Sequence, residues 1–409
     1  MWVNITRPGR FITWGELFGP GIFGVSEEVG QSLISKGWAE ESDPPSSSIV
    51  DVSGKILVTP DPSLNPGLLC VGGGDYDRSL EVLDLTHLSD EYVASITILD
   101  VAYGGYSSIL GLERFTEIQE LYIGANNFTE LPDLRPFTQL TRLDFSRSPL
   151  LTTPPDLSTL TNLIHLQCNY CPMLLAPPDV SMLLELQDLA CNNNASMQTA
   201  PDVSGLTALQ TLNLSDNAAM VTAPNCTGCT ALYGFFCQNN VSMTEGPNLT
   251  GCTNLSALLN LSGNTSMVSG GNMTGCTALG GYFAGNCPAL VTPPILTGCS
   301  AITQLGFNNC NLNEPPDISN LPLLDSLSIG NCPSLATAPT IVYAATQHMS
   351  FAGDALPDTE VNTLLESLDT LGASNGVVDL RGGTNAVPTG SGNDARNNLI
   401  VKGWTVFIN

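Results

Sequence analysis

The feature that most restricts the fold of this chain is a period. Aligned by leucine, the sequence restarts at Ile118, Leu140, Leu163, Leu186, Leu209, Leu232, Ser256, Leu279, Ile302 and Leu324, in steps of 22 to 24 residues. Most repeats carry apolar residues at their first, fourth and sixth places and Asn or Cys at their ninth. Leu209-Gln-Thr-Leu212-Asn-Leu214-Ser-Asp-Asn217 and Ile302-Thr-Gln-Leu305-Gly-Phe307-Asn-Asn-Cys310 are examples. One such repeat cannot bury its own apolar edge. Stacking can, because it sets Leu143, Leu166, Leu189 and Leu212 in one column and turns the alternating residues to solvent.

This pattern resembles the leucine-rich repeat, which implies one short strand per coil. The expected fold class is an α/β-type solenoid of mostly short parallel strands, a leucine-rich-repeat arc with a small N-terminal α+β anchor and a C-terminal capping segment. The expected organisation is an anchor module over 1–42, a linker and N-terminal cap over 43–79, the solenoid over 80–346 and a helix-strand-helix-strand cap over 347–409. Leu80-x-x-Leu83-x-Leu85 and Ile96-x-x-Leu99-x-Val101 read as degenerate opening repeats. At the far end, Asp358 to about Leu371 reads as a helix and Gly376–Leu380 as a strand. Asn393–Lys402 reads as a second helix, stopped by Gly403 before a strand over Trp404–Ile408.

The ninth place is held by Cys171, Asn194, Asn217, Asn240, Asn264, Cys287, Cys310 and Cys332. It is expected to form a ladder in which amides satisfy backbone groups as the chain leaves the strand. A second motif follows each strand, as in Pro155-Asp156-Leu-Ser158, Pro201-Asp202-Val-Ser204 and Pro247-Asn248-Leu-Thr250. Proline presets one dihedral and the Asp or Asn side chain accepts from an amide two residues on, which predicts an Asx-type turn. The rival is a calcium ladder on Asp133, Asp156, Asp179 and Asp202, whose stacked carboxylates repel one another. The turn is preferred because it also covers the Asn repeats, so no metal or cofactor is assigned.

Thirteen cysteines raise a disulfide framework or a zinc site. Register argues against both. Cys229, Cys252, Cys276 and Cys299 occupy the place of Leu160, Leu183, Leu206 and Leu321, while Cys168, Cys191 and Cys237 replace Leu214 and Cys226 replaces Val203. They read as small apolar core residues with free thiols, as suits a reducing cytoplasm. Only Cys70 has no evident column.

With 12 Lys+Arg against 38 Asp+Glu, the formal net charge is -26, which repels phosphate backbones and argues against nucleic-acid binding. No apolar run is long enough for a membrane span and none near Met1 resembles a signal-peptide core. No metalloprotease, phosphate-loop or nucleophile-elbow motif occurs. The sequence places no two of His87, His165 and His348 near each other and selects no general base among them, and nothing selects a carboxylate pair for glycoside hydrolysis. Catalytic residues are therefore assigned to none, and the chain is read as a non-enzyme. The outward strand face is small and polar (Gln210, Thr211, Asn213, Ser215, Thr303, Gln304, Gly306, Asn308), interrupted by Tyr122, Tyr233, Phe236 and Phe283. These four are the candidate ligand- or partner-binding residues, since a ring gives flat apolar area among hydrogen-bonding neighbours. The alternative, that they pack locally against gaps left by Gly234, Gly280 and Gly281, is the preferred one, since single surface apolar residues need no further explanation.

The ends differ from the array. Arg10–Trp14 reads as a strand, Ser26 to Lys36 as a helix capped by Ser26 and ended by Gly37, and Ser42–Ser48 as a Pro/Ser linker. With the Glu27-Glu28…Lys36-Gly37-Trp38-Ala39-Glu40 stretch, this segment resembles small N-terminal modules on tailed-bacteriophage virion proteins. Gly382–Pro388 followed by Lys402-Gly-Trp-Thr-Val resembles the closing segment of repeat-bearing phage fibre and tail proteins. The resemblance implies a structural or binding virion protein, a capsid-attached decoration or head fibre, made in the bacterial host cytoplasm and displayed on the virion surface. Its partners would be capsid or tail proteins through residues 1–42, and a host surface glycan or protein through the repeats. A tail-associated receptor-binding adhesin and a non-viral bacterial repeat effector are the alternatives. Homo-oligomerisation stays open, as phage fibres commonly trimerise but no coiled-coil motif is present.

Overall fold

The computed structural model describes Val82–Asn409 except His87, together with the backbone of six short strands between Trp2 and Cys70. The chain divides into two compact units, Met1–Leu174 and Leu175–Asn409. The expected strand at Arg10–Trp14, the helix from Ser26 and the Pro/Ser linker lie outside the described residues. Of residues 1–42, the strands Trp2–Ile5, Gly21–Gly24 and Ala39–Glu41 form a three-stranded antiparallel sheet with Trp2–Ile5 in the middle.

In the first unit the parallel strands Leu68–Cys70, Ile98–Asp100, Glu120–Tyr122, Arg142–Asp144 and His165–Gln167 pair in register, Leu69 beside Leu99, Leu99 beside Leu121, Leu121 beside Leu143 and Leu143 beside Leu166. Each of these strands is three residues long and turns its middle residue inward, while the rest of the coil adds further core residues such as Leu140, Phe145, Leu151 and Leu160. Leu99, Leu121, Leu143 and Leu166 are fully buried. Cys70 therefore lies on a strand of the main ladder. Leu83, expected in that ladder, does not join it: Val82–Asp84 pairs with Ser108–Leu110, Leu83 beside Ile109, in a separate two-stranded sheet. The two opening coils carry a second strand each, and alternation alone could not say to which side Leu83 belonged.

In the second unit Asp188–Ala190, Thr211–Asn213 and Gly234–Phe236 form one run of the ladder. Leu258–Asn260, Gly281–Phe283, Gln304–Gly306, Ser326–Ser328, His348–Ser350, Val377–Asp379 and Thr405–Phe407 form another. The interruption has a sequence cause. The sixth repeat after Ile118 was aligned on Ser256, but Ser256 is exposed and Leu255 is buried in its place. One extra residue thus lies between Leu255 and the inward Leu259, where sister coils such as Leu279 to Tyr282 keep a spacing of three, and strand pairing lapses there. At the C-terminal end the helices Asp358–Leu371 and Gly390–Val401 alternate with the last two strands, the second helix starting three residues before Asn393. Lys402 Nζ bonds Asp369 Oδ1 at 2.6 Å and Trp404 Nε1 donates to Ala373 O at 2.9 Å.

The expected ninth-place ladder forms. In the second unit the backbone N–H of Asn194 donates to Asn217 Oδ1 at 2.8 Å, that of Asn217 to Asn240 Oδ1 at 2.8 Å, and that of Asn240 to Asn264 Oδ1 at 2.7 Å. Asn217 Nδ2 bridges two coils through Cys191 O at 2.9 Å and Leu214 O at 2.8 Å. Where cysteine takes the place, its thiol makes the equivalent bond to the preceding coil, Cys287 to Leu261 O, Cys310 to Ala284 O and Cys332 to Phe307 O. The other cysteine column does the same on the opposite wall, Cys252 Sγ to Cys226 O at 3.2 Å and Cys276 Sγ to Leu249 O at 3.1 Å. All twelve cysteines among the described side chains are buried free thiols. Ser215, counted above with the outward polar residues, is buried as well.

The eighth place, just before that ladder, is left-handed in coil after coil, with φ of 61° at Asp216, 61° at Asn239 and 60° at Asn309. Asn, Asp and Gly tolerate this conformation, whereas other residues meet a clash with the carbonyl costing about 1–2 kcal/mol. The expected Asx turns also form, each Asp or Asn accepting the amide two residues on: Ser158 N to Asp156 Oδ1, Ser181 N to Asp179 Oδ1 and Ser204 N to Asp202 Oδ1, all at 3.0 Å, and Thr274 N to Asn272 Oδ1 at 3.0 Å.

Three outcomes are expected. Asn217→Ala, which orphans Asn194 N and Leu214 O while Cys191 O keeps its bond from Asn194 Nδ2, should lower unfolding free energy by about 2–3 kcal/mol in denaturant titration; a loss within error would remove the ladder's structural role. Burial pushes the Cys229 thiol up to about 11 and those of Cys237 and Cys252 up to about 12. A disulfide reagent at neutral pH should therefore titrate them only after denaturant is added. Asp354 stands in the ninth place with Oδ1 accepting Cys332 N at 2.7 Å, and burial raises its carboxyl from 3.8 to about 8. The folded state holds that proton more tightly than the unfolded chain, so the group favours folding most below about pH 4 and this contribution fades as pH rises towards 8. Asp354→Asn should stabilise the fold at pH 7.5 by about 1–2 kcal/mol, and little at pH 4. Parallel melting curves for the two proteins across that range would sink this assignment.

Candidate binding surface

The side chains flanking each inward leucine make the outward face, and its chemistry differs between the units. In the first unit Glu120, Arg142, His165 and Gln167 supply a charged and polar surface. Tyr122 belongs to it as a tied-down member: its hydroxyl donates to Glu120 Oε2 at 2.6 Å. Desolvation first, and then the Glu120 carboxylate, hold that hydroxyl protonated well above the usual range.

In the second unit a mostly polar outward face is interrupted by apolar side chains. Phe236 is 47% exposed and Leu258 54%, and Phe283 is half-buried; Phe236 lies on the last strand of one parallel sheet, Leu258 and Phe283 on the first two strands of the next. Glycines seat this cluster. A Cβ on Gly306 would stand 2.7 Å from the Phe283 ring, and a Cβ on Gly281 would stand 2.9 Å from Leu258 Cδ2 and 3.3 Å from that ring. Phe283 thus fills a gap left by glycine, but by Gly281 and Gly306 rather than Gly280. A Cβ on Gly234 would lie 3.6 Å from the Phe236 ring, an ordinary contact. Tyr233 is exposed just before its strand. Beneath the cluster Tyr282 is fully buried, donates its hydroxyl to Gly270 O at 2.9 Å and stacks on Phe307 at 5.4 Å between centroids. The surface rings therefore rest on a rigid aromatic layer. Leu258 was invisible to a reading of the repeat because the extra residue before Leu259 hid its register.

The four stacked aspartates serve their turns. Asp133 accepts Arg135 N and both guanidinium nitrogens, Nε and Nη2 at 2.8 Å each, and this pairing holds its carboxyl down at about 2. Asp156 is lowered by Ser158, first through the side chain and then the backbone. Among the described residues no three His, Cys, Asp or Glu side chains converge as a metal-binding group. No described helix is long and apolar enough to cross a membrane. His348 has a partner the sequence did not reveal, Asp325 Oδ1 at 3.1 Å from Nδ1 on the neighbouring coil. His87 lies outside the described residues.

No protein-family model and no curated protein matches this chain. Among solved structures it is similar to the functional domain of InlJ from Listeria monocytogenes, which includes a cysteine ladder, at 19% identity and a TM-score of 0.32 over 72% of this chain and 76% of that one. An internalin (inlF) from the same species gives 19% identity and a TM-score of 0.35 over 79% and 90%. A leucine-rich-repeat protein from Leptospira interrogans gives 16% and 0.34 over 80% and 90%. The fold itself rests on the coil geometry described above.

Proposed function

We propose that the chain is a non-enzymatic binding scaffold whose second unit presents Phe236, Leu258 and Phe283 to a protein partner. The observation that carries this reading is that these three apolar side chains stand exposed or half-buried among polar outward neighbours, with Leu258 and Phe283 seated together over Gly281 and Gly306. Leaving such rings in water is unfavourable by about 25 cal/mol for each Å2 that a partner could cover. Rigid aromatic anchors on a fixed sheet lose little conformational freedom on binding. In the same proposal the scaffold is carried on a tailed-phage virion as a decoration or fibre, with residues 1–42 docking it to the particle. What supports that part is the sequence resemblance at the two ends.

Replacing Phe236 and Phe283 together with Ser should leave melting within a few degrees of the parent, since both rings are exposed or half-buried, while adsorption of particles to host cells drops. Adsorption unchanged in a stably folded variant would discard the cluster as a binding surface. Particle association is tested separately by deleting residues 1–48: the deleted protein should no longer co-sediment with intact particles, and retention would refute the docking role.

A further inference from the structure

In the first unit the eighth place departs from the rest of the array. Tyr103, Ala125, Arg147 and Tyr170 stand where later coils put Asn193, Asp216 and Asn239, and they adopt the same left-handed backbone, with φ of 59°, 54°, 59° and 59°. The turn needs neither a ring nor a guanidinium there, and asparagine would form it with less strain. Successive coils hold these residues in a row, Ala125 N donating to Ser146 O at 2.7 Å and Arg147 N to Asn169 O at 2.8 Å. Ala125 is the short member, and beside it opens a hollow of about 160 Å3 lined by Tyr103, Asp144, Arg147, Gln167 and Asn169. Its floor includes Gly124, where any Cβ would fall 2.4 Å from Ser146 O, so the depression depends on glycine.

The polar groups of this hollow are unevenly used. The Arg147 guanidinium lies 4.9 Å from the centroid of the Tyr170 ring and has no carboxylate or hydrogen-bond partner among the described residues. By contrast Arg114, Arg135, Arg381 and Lys402 each sit on an acid. Asp144 Oδ1 accepts Ser146 N at 2.8 Å, and Asn169 Oδ1 accepts Ser146 Oγ at 2.8 Å. Asn169 Nδ2 and the Gln167 amide make no side-chain bond to a described residue. Tyr103, which lines the hollow, is 52% exposed, whereas Tyr170, 44% exposed, lies outside the lining and carries the Arg147 guanidinium on its ring. One exposed ring, donors on three side chains and one carboxylate acceptor around a space for a single ring match a polyhydroxylated ligand, and the guanidinium without a carboxylate partner adds a preference for negative charge.

We propose that this hollow binds a saccharide bearing a carboxylate, one sugar ring lying against Tyr103 with its carboxylate on Arg147 and its hydroxyls shared among Asp144, Gln167 and Asn169. The site belongs to the first unit and is independent of the apolar cluster in the second, so either can fail alone. The test titrates the full-length protein with trigalacturonate and sialyllactose, using maltotriose as the neutral sugar and acetate as the bare carboxylate, followed by ligand-observed NMR. At least one acidic sugar should bind saturably and about ten-fold more tightly than maltotriose, and an equal concentration of acetate should not displace it. Tyr103→Asn, which installs the residue that sister coils already hold in this conformation, should keep or raise the melting temperature and abolish binding. Arg147→Gln should erase the acidic preference. The proposal is overturned by absence of saturable binding to both acidic sugars, by equal affinity for maltotriose, by displacement with acetate, or by unchanged affinity in a folded Tyr103→Asn protein.

Discussion

Everything in this molecule depends on each coil completing its neighbour. Three-residue strands are too short to be stable alone, and the apolar residues of one coil stay open to water on both edges until the next coil lies against them. Stacking joins three kinds of column, the apolar spine, the backbone ladder between strands and the buried row of Asn and Cys at the ninth place. The last is the least forgiving, because an amide at that position serves two carbonyls and one N–H on different coils at once. Cysteine is tolerated there because its thiol still reaches the preceding coil's carbonyl. Aspartate is tolerated at Asp354 at the expense of a protonated buried carboxyl.

A stack built this way is indifferent to what its outward side chains are, which frees them to vary. The second unit shows the consequence most plainly. A single added residue before Leu259 interrupts strand pairing, and around it the polar face gives way to Phe236, Leu258 and Phe283 while Gly281 and Gly306 remove the side chains that would have crowded them. In the first unit the variation falls instead on the left-handed turn, where Tyr103, Arg147 and Tyr170 accept backbone strain that asparagine would reduce. Strain without structural return is a signature of use. The two surfaces differ accordingly: one offers apolar area on a flat sheet, the other a small hollow rich in donors.

Much of this was legible in the chain. The period, the inward leucines, the cysteine columns, the Asx turns and both C-terminal helices follow from spacing and residue type, because each is a local rule repeated many times. Tyr233, Phe236 and Phe283 were legible as exceptions to the outward pattern, whereas Tyr122 reads the same in sequence yet is engaged with Glu120. The misreadings came where a local rule had two solutions. Alternation placed Leu83 inward but not on which sheet, and the leucine count placed Ser256 where Leu255 belongs.

The amino-acid sequence determined the solenoid, since a strict apolar period has one way to be buried. Tertiary structure alone decided which outward residues gather, because side chains 22 to 25 residues apart become neighbours only once the coils are stacked. Tyr103, Ala125 and Arg147 carry no motif as letters. They become a rim, a gap and an unpaired charge through a coil register that distant backbone hydrogen bonds enforce.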